Sequence, residues 1–250
     1  KKLLDGGMNP ESKTAAGTTA LMFAARDLEK VKLLIDRGAD VNARAATGIN
    51  ALMIAARYRG NAQVVSLLLS KGAKPNAEKG VEIRNDASAL YFAVMSGDAK
   101  TVGVLLDAGA RMDRMKILGR FPFSPLLYAT FTGDANLVDY LIGKGANPNE
   151  VDDDGISMLG WAAVANHART VQTLISRGAQ VNHVDKYGMT PLLYATSIDF
   201  GDTVVLEKLI AAGADRTTKT KEGLTALELA KAYGHQTQAT LLNGKPTAQR

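Results

Sequence analysis

Apolar residues along the chain follow a helical rhythm that restarts seven times. A Leu with a small Ala three residues later recurs at Leu21/Ala24, Leu52/Ala55, Leu90/Ala93, Leu126/Ala129, Leu159/Ala162, Leu192/Ala195 and Leu227/Ala230. That spacing places both residues on one face of a short helix. A Thr, Ser or Asn stands two residues before each Leu: Thr19, Asn50, Ser88, Ser124, Ser157, Thr190 and Thr225. These side chains suit the N-cap, where backbone N–H groups lack partners. Pro125 and Pro191 follow their caps, a position that needs no N–H. A second helix carries a β-branched residue and a pair at i+3 and i+4, as in Val64/Leu67/Leu68, Val102/Leu105/Leu106 and Val171/Leu174/Ile175. Between the two helices lie Gly60-Asn61, Gly97-Asp98 and Gly133-Asp134, where Gly should end one helix and Asn or Asp cap the next.

Gly-Ala pairs stop the second helices at Gly38, Gly72, Gly109, Gly145, Gly178 and Gly213, with spacings of 34, 37, 36, 33 and 35 residues. Extended segments with Asn follow (Val41-Asn42, Pro148-Asn149, Val181-Asn182) and lead into turns at Gly48, Gly155, Gly188 and Gly223. Each unit therefore reads as helix–turn–helix plus a hairpin. This in-phase phrase resembles the ankyrin repeat, a unit of about 33 residues built around TPLHxAA, a Gly-His turn and a closing Gly-Ala. Thr190-Pro191-Leu192 through Ala195 is the nearest copy. The resemblance implies an all-α fold, an ankyrin-repeat solenoid of helix-turn-helix units with β-hairpin loops. The family His of TPLH is absent: Met22, Met53, Tyr91, Leu127, Gly160, Leu193 and Glu228 take its place. Inter-repeat packing should be correspondingly more hydrophobic. The Thr-Ala-Leu-Met-x-Ala-Ala phrasing at Thr19–Ala25 resembles bacterial ankyrin proteins.

The expected organisation is one ankyrin-repeat domain over 1–244, with repeats near 12–42, 43–76, 77–113, 114–149, 150–182, 183–217 and 218–244. The polar last repeat reads as a C-terminal cap, and 245–250 as a flexible tail. Residues 1–7 read as the remnant of an upstream repeat, so a longer natural chain is expected. The first repeat is short by two residues near Arg26–Lys30, the sixth gains two at Ser197–Asp202, and Glu78–Ala87 and Arg114–Phe123 form long hairpins.

Composition narrows the chemistry. The chain has 250 residues, no Cys and three His. Thiolate catalysis, disulfides and Cys-ligated metal are excluded, and a multi-His site is hard to build. No apolar run reaches the roughly 20 residues of a membrane span. The 46% hydrophobic content excludes disorder as the main state. Net charge is +5 but uneven: residues 1–125 hold 19 basic and 12 acidic side chains (+7), residues 126–250 hold 11 and 13 (−2). The compartment stays open between cytoplasm and periplasm.

No phosphate-binding Gly motif is present. Asp152-Asp153-Asp154-Gly155 lacks the further ligands of a calcium loop and reads as a turn. His167, His183 and His235 have no readable nucleophile or carboxylate partner, so no catalytic residue, metal site or cofactor is assigned. His235 should be structural at the Gly-His turn, whereas His183 could touch a partner. The resemblance implies partner contacts on hairpin tips and on residues following the first helices. Carried over, these include Arg44, Arg84, Lys116, Arg120, Phe121 and Tyr187 on hairpins, with Ile83, Met115, Ile117 and Phe123 beside them. On the concave side they are Arg57, Tyr58, Met95, Ser96, Phe131, Thr132, Val164, Ala165, Ser197 and Ile198. The expected function is non-catalytic protein binding by a monomer. Two alternatives are a binder of nucleic acid or a membrane surface through the basic half, and a regulatory part of a larger enzyme.

Overall fold

Six of the short first helices start where a side chain supplies the missing acceptor. In the computed structural model, which describes residues 6–7, 9–76, 88–113, 115–117 and 121–244, Asn50 Oδ1 accepts from the Met53 N–H at 2.9 Å. Ser88, Ser157 and Thr190 do the same for Tyr91, Gly160 and Leu193 at 3.1, 3.1 and 3.3 Å. The last repeat closes a full capping box: the Glu228 N–H donates to Thr225 Oγ1, and the Thr225 N–H donates to Glu228 Oε2. Glu228 thus takes up a local capping role at the family's His position.

The chain divides into two compact units, Lys1–Pro125 and Leu126–Arg250. Among the described residues the first holds three helix pairs: α1 (Ala20–Ala24) with α2 (Leu28–Asp36), α3 (Ala51–Ala56) with α4 (Ala62–Ser70), and α5 (Ala89–Met95) with α6 (Ala99–Asp107). First helices stack on first helices and second on second: α1 on α3 on α5, α2 on α4 on α6. A two-stranded antiparallel ribbon follows, β1 (Met115–Ile117) with β2 (Phe121–Phe123), pairing Met115 with Phe123 and Ile117 with Phe121. The second unit holds four pairs: α7 (Pro125–Phe131) with α8 (Ala135–Gly143), α9 (Met158–Val164) with α10 (Ala168–Ser176), α11 (Pro191–Thr196) with α12 (Val204–Ala211), and α13 (Ala226–Ala232) with α14 (Gln236–Asn243). There α9 stacks on α11 and α11 on α13, while α8, α10 and α12 stack in turn. Each unit is a run of stacked helix pairs, an all-helical solenoid architecture. Four other hairpins among the described residues are single bridges, Lys13–Thr19, Arg44–Asn50, Val151–Ser157 and Lys219–Thr225.

The Leu and Ala positions read from the periodicity form the core in the first six repeats, whereas Leu227 of the polar last repeat is only half-buried. Leu21, Leu52, Leu90, Leu105, Leu126, Leu159, Leu174 and Leu192 are fully buried, with Ala25, Ala55, Ala93, Ala129 and Ala162 between them. The small Ala side chains let successive repeats approach closely. Met22, Met53, Leu127 and Leu193, which replace the family His, are also buried, so these repeats are joined by apolar contact. Tyr91 is half-buried and Glu228 exposed, while at Gly160 a Cβ would lie 3.2 Å from Ile156 and 3.4 Å from Tyr194.

Polar ties run from repeat to repeat at fixed register. Asn42 Nδ2 donates to Gly72 O at 2.9 Å while its Oδ1 accepts from the Lys74 N–H at 2.9 Å. Asn76 repeats this on Gly109 and Arg111, Asn149 on Gly178 and Gln180, and Asn182 on Gly213 and Asp215. These carbonyls and amides flank the stop glycines, all with positive φ from 83° to 100°, a region open to Gly at little steric cost. Each amide therefore closes two backbone groups of the following repeat. The second-helix caps differ from expectation at one point. Asp27, Asp98 and Asp134 cap α2, α6 and α8, but Asn61 does not cap α4. Its Nδ2 instead donates to Ala25 O of the preceding repeat and to Ala55 O, at 2.8 and 2.9 Å. An amide can donate where a carboxylate cannot.

Candidate functional site

Two register positions decide which side chains line the first-helix face of each unit. One is four residues after the N-cap: Phe23, Ile54 and Phe92 in the first unit; Tyr128, Trp161, Tyr194 and Leu229 in the second. The other lies three residues further on: Arg26, Arg57 and Met95, then Phe131, Val164, Ser197 and Ala232. Spaced by three, the two rows share a side. Met95 and Phe131 are exposed at 45% and 50%. Arg57 is exposed, and Tyr58 is half-buried beneath the Arg26 guanidinium, which sits 4.3 Å from the ring centroid. Ile198 is exposed at the turn enlarged by two residues.

The polar members of the expected stripe turn back on their own helices. Ser96 donates to Ala93 O, Thr132 to Tyr128 O and Ser197 to Tyr194 O, at 2.8, 3.0 and 2.8 Å. Val164 and Ala165 are only partly exposed. Arg44 is half-buried and donates through Nη1 to Gly48 O at 2.7 Å, clamping its own hairpin. Tyr187 stands exposed at a hairpin tip with the Lys221 ammonium 5.9 Å from its ring centroid. Its hydrogen bond with Asp154 holds the phenol above its ordinary ionisation range. Ile83, Arg84 and Arg120 lie outside the described residues, as do the side chains of Met115, Lys116, Ile117 and Phe121.

In the second unit, hairpin carboxylates hold aromatic side chains of the first helices. Asp152 Oδ1 accepts from the N–H groups of Asp154 and Ile156, and its Oδ2 from Trp161 Nε1 at 2.9 Å. One repeat later, Asp185 Oδ1 accepts from the N–H groups of Tyr187 and Met189, and its Oδ2 from the Tyr194 hydroxyl at 2.5 Å. Both carboxylates are spent on their own turns, which explains why the Asp-rich loop is a turn by construction. Burial, then the Asp185 hydrogen bond, push the Tyr194 phenol well above its ordinary range. Asp185→Asn should therefore let Tyr194 ionise at lower pH. Alkaline difference absorbance of D185N, with Tyr194→Phe as the blank, checks this; an unchanged titration contradicts the pairing.

The three histidines each meet a carbonyl of the preceding repeat. His167 Nε2 lies 3.1 Å from Phe131 O, His183 Nε2 2.8 Å from Gly155 O and His235 Nδ1 3.0 Å from Thr196 O. These contacts tie each His to the stacked neighbouring repeat, His183 included. Among the described residues no group of three or more His, Asp or Glu is placed to hold a metal ion. Nor is any helix among them long and apolar enough to cross a membrane.

The sequence model of ankyrin repeats matches three stretches, residues 1–79, 47–116 and 126–200. The chain belongs to the ankyrin-repeat family. No curated protein matches it. Among solved structures it is similar to the ankyrin repeat domain of human ASB11, with 27% identity over 92% of this chain and 100% of that one and a TM-score of 0.74. It is also similar to the ankyrin repeat domain of Bcl-3, described as a unique member of the IkappaB protein family, with 25% identity, coverage of 91% and 99% and a TM-score of 0.72. The structure also exposes several large side chains on or beside the first helices that were not among the expected contact residues. Phe23 is 73% exposed and Tyr233 58%, with Phe200 and Val204 exposed near the enlarged turn. A signal was present: the position four after the cap is aromatic in five of the seven ankyrin repeats.

Proposed function

We propose that this chain is a non-catalytic protein-binding module that holds its partner on the first-helix faces and neighbouring turns. The observation that carries the reading is the large side chains left in solvent on or beside the first helices of each unit, Phe23 and Met95 in the first, Phe131 and Ile198 in the second, while the scaffold's own apolar positions are buried. Large apolar groups exposed on ordered elements favour association. Because the backbone groups around them are already tied by the Asn and His contacts, little ordering accompanies binding. Ankyrin-repeat relatives with the same architecture support protein recognition.

The test is affinity capture from the native organism using the whole chain as bait. Simultaneous replacement of Arg57, Tyr58 and Phe131 by Ala should abolish recovery of the protein bound by the wild type. These side chains are exposed or half-buried, so the helical circular dichroism should be kept. Equal recovery by the folded variant would place the contact elsewhere.

A further inference from the structure

In the first unit, three arginines without an ion pair among the described residues stand near an exposed aromatic ring. Arg26, Arg57 and Arg59 are all exposed and lie at the turns between helices of the first two repeats. None of the three forms an ion pair among the described residues. The carboxylates close in sequence or register are occupied: Asp27 pairs with Lys30 at 2.8 Å. Asp98 accepts from the Gly60 N–H at 2.8 Å and from the Thr101 hydroxyl at 2.7 Å. Arg26 lies over the Tyr58 ring, 4.3 Å from its centroid, a contact that orients a guanidinium while leaving its edge donors free. Phe23, 73% exposed, stands one helical turn before Arg26.

We infer that this edge docks an acidic peptide segment of a partner protein, its carboxylates on Arg26, Arg57 and Arg59 and an apolar side chain on Phe23. This rests on the protein-binding reading above and gives the partner a chemistry. Guanidinium groups meet carboxylates in a planar fork, so two or three held in one place select acidic residues at matching intervals. The neighbouring ring adds apolar contact that charge alone does not supply. Nucleic acid fits less well, because a backbone-tracking surface needs a line of free cations. Here Lys30, Lys32 and Arg111 are each tied to a carboxylate, and Arg44 to its own hairpin carbonyl.

The experiment selects a displayed library of random 12-residue peptides on the whole chain, then measures the enriched peptides by fluorescence polarisation. Enriched sequences should carry several Asp or Glu around an aromatic or branched aliphatic residue. Arg57→Glu with Arg59→Glu should weaken them at least about tenfold near 0.1 M salt. Phe23→Ala should weaken them several-fold without changing the salt slope. Neutral or basic consensus sequences, or affinity unmoved by R57E/R59E, would overturn the proposal. So would a 20-nucleotide single-stranded DNA that binds as tightly and competes with the peptides, which would make the edge a nucleic-acid surface. Peptides kept by R57E/R59E but lost by Phe131→Ala would sink the acidic edge and leave the protein-binding reading standing. Peptides lost by neither would sink both.

Discussion

Leu105→Ala should destabilise the protein by about 2–5 kcal/mol, whereas Leu106→Ala should cost less than half as much. The two residues are adjacent on α6, yet Leu105 is fully buried and Leu106 only partly. Leu105 lies in a helix packed against both α4 and α5. Truncation there removes the apolar transfer term and leaves a cavity that stacked helices cannot readily collapse into. Leu106 loses contacts on one side only. A domain of this kind has about 5–15 kcal/mol in hand, so the first change is a large share of it. Urea unfolding followed by circular dichroism reads both variants. Equal midpoints would mean that the helical register assigned to this repeat is displaced.

Asp98→Ala should cost about 2–4 kcal/mol near neutral pH, a surface-charge deletion in name only. Asp98 caps α6 through the Thr101 N–H at 3.3 Å. Its other oxygen takes the Thr101 hydroxyl and the Gly60 N–H of the preceding repeat, at 2.7 and 2.8 Å. Loss of a cap is worth about 1 kcal/mol, and stranding a buried donor about 1–3. Burial pushes the Asp98 carboxyl up, but the Thr101 hydroxyl and the Gly60 and Thr101 amides outweigh it and leave its pKa below the ordinary value. A depressed folded pKa means that this stabilisation is complete above the usual carboxylate pKa of about 4 and disappears as pH falls through the lower folded value. The gap between wild type and D98A should therefore be full at pH 7 and shrink below about pH 4. A gap that stays constant to pH 2 would show that the carboxylate charge plays no part.

Residues whose role is decided within three or four positions of the chain were legible in advance. Thr19, Asn50, Ser88 and Thr190 cap because one oxygen reaches one nearby N–H, and the Leu and Ala spacing places the core everywhere but at the half-buried Leu227. Roles decided by the neighbouring repeat were not. Asn61 resembles Asp98 in sequence, yet it turns its amide to a carbonyl 36 residues away. His183 looks available on a hairpin until the stacked turn brings Gly155 O beside it. Exposure is similarly contextual. Phe23 and Phe92 share a register position, but Phe92 is half-buried with the Tyr91 ring edge-on at 5.6 Å, and Phe23 has no ring partner among the described residues. The first-helix face was found by family resemblance, whereas the three arginines at its edge, without an ion pair among the described residues, needed the ion pairs of their neighbours to be seen.

Trp161 gives the molecule an optical reporter that requires no label. It is the sole tryptophan of the chain, and it lies in the second unit. Its indole N–H is held by Asp152, and the Phe131 ring stands edge-on at 5.9 Å. Its emission therefore senses only that unit and the face beside Phe131, while far-ultraviolet ellipticity sums the helices of both. One denaturation series read in the two channels separates half of the molecule from the whole, and a quenched or shifted emission marks a partner arriving at that face.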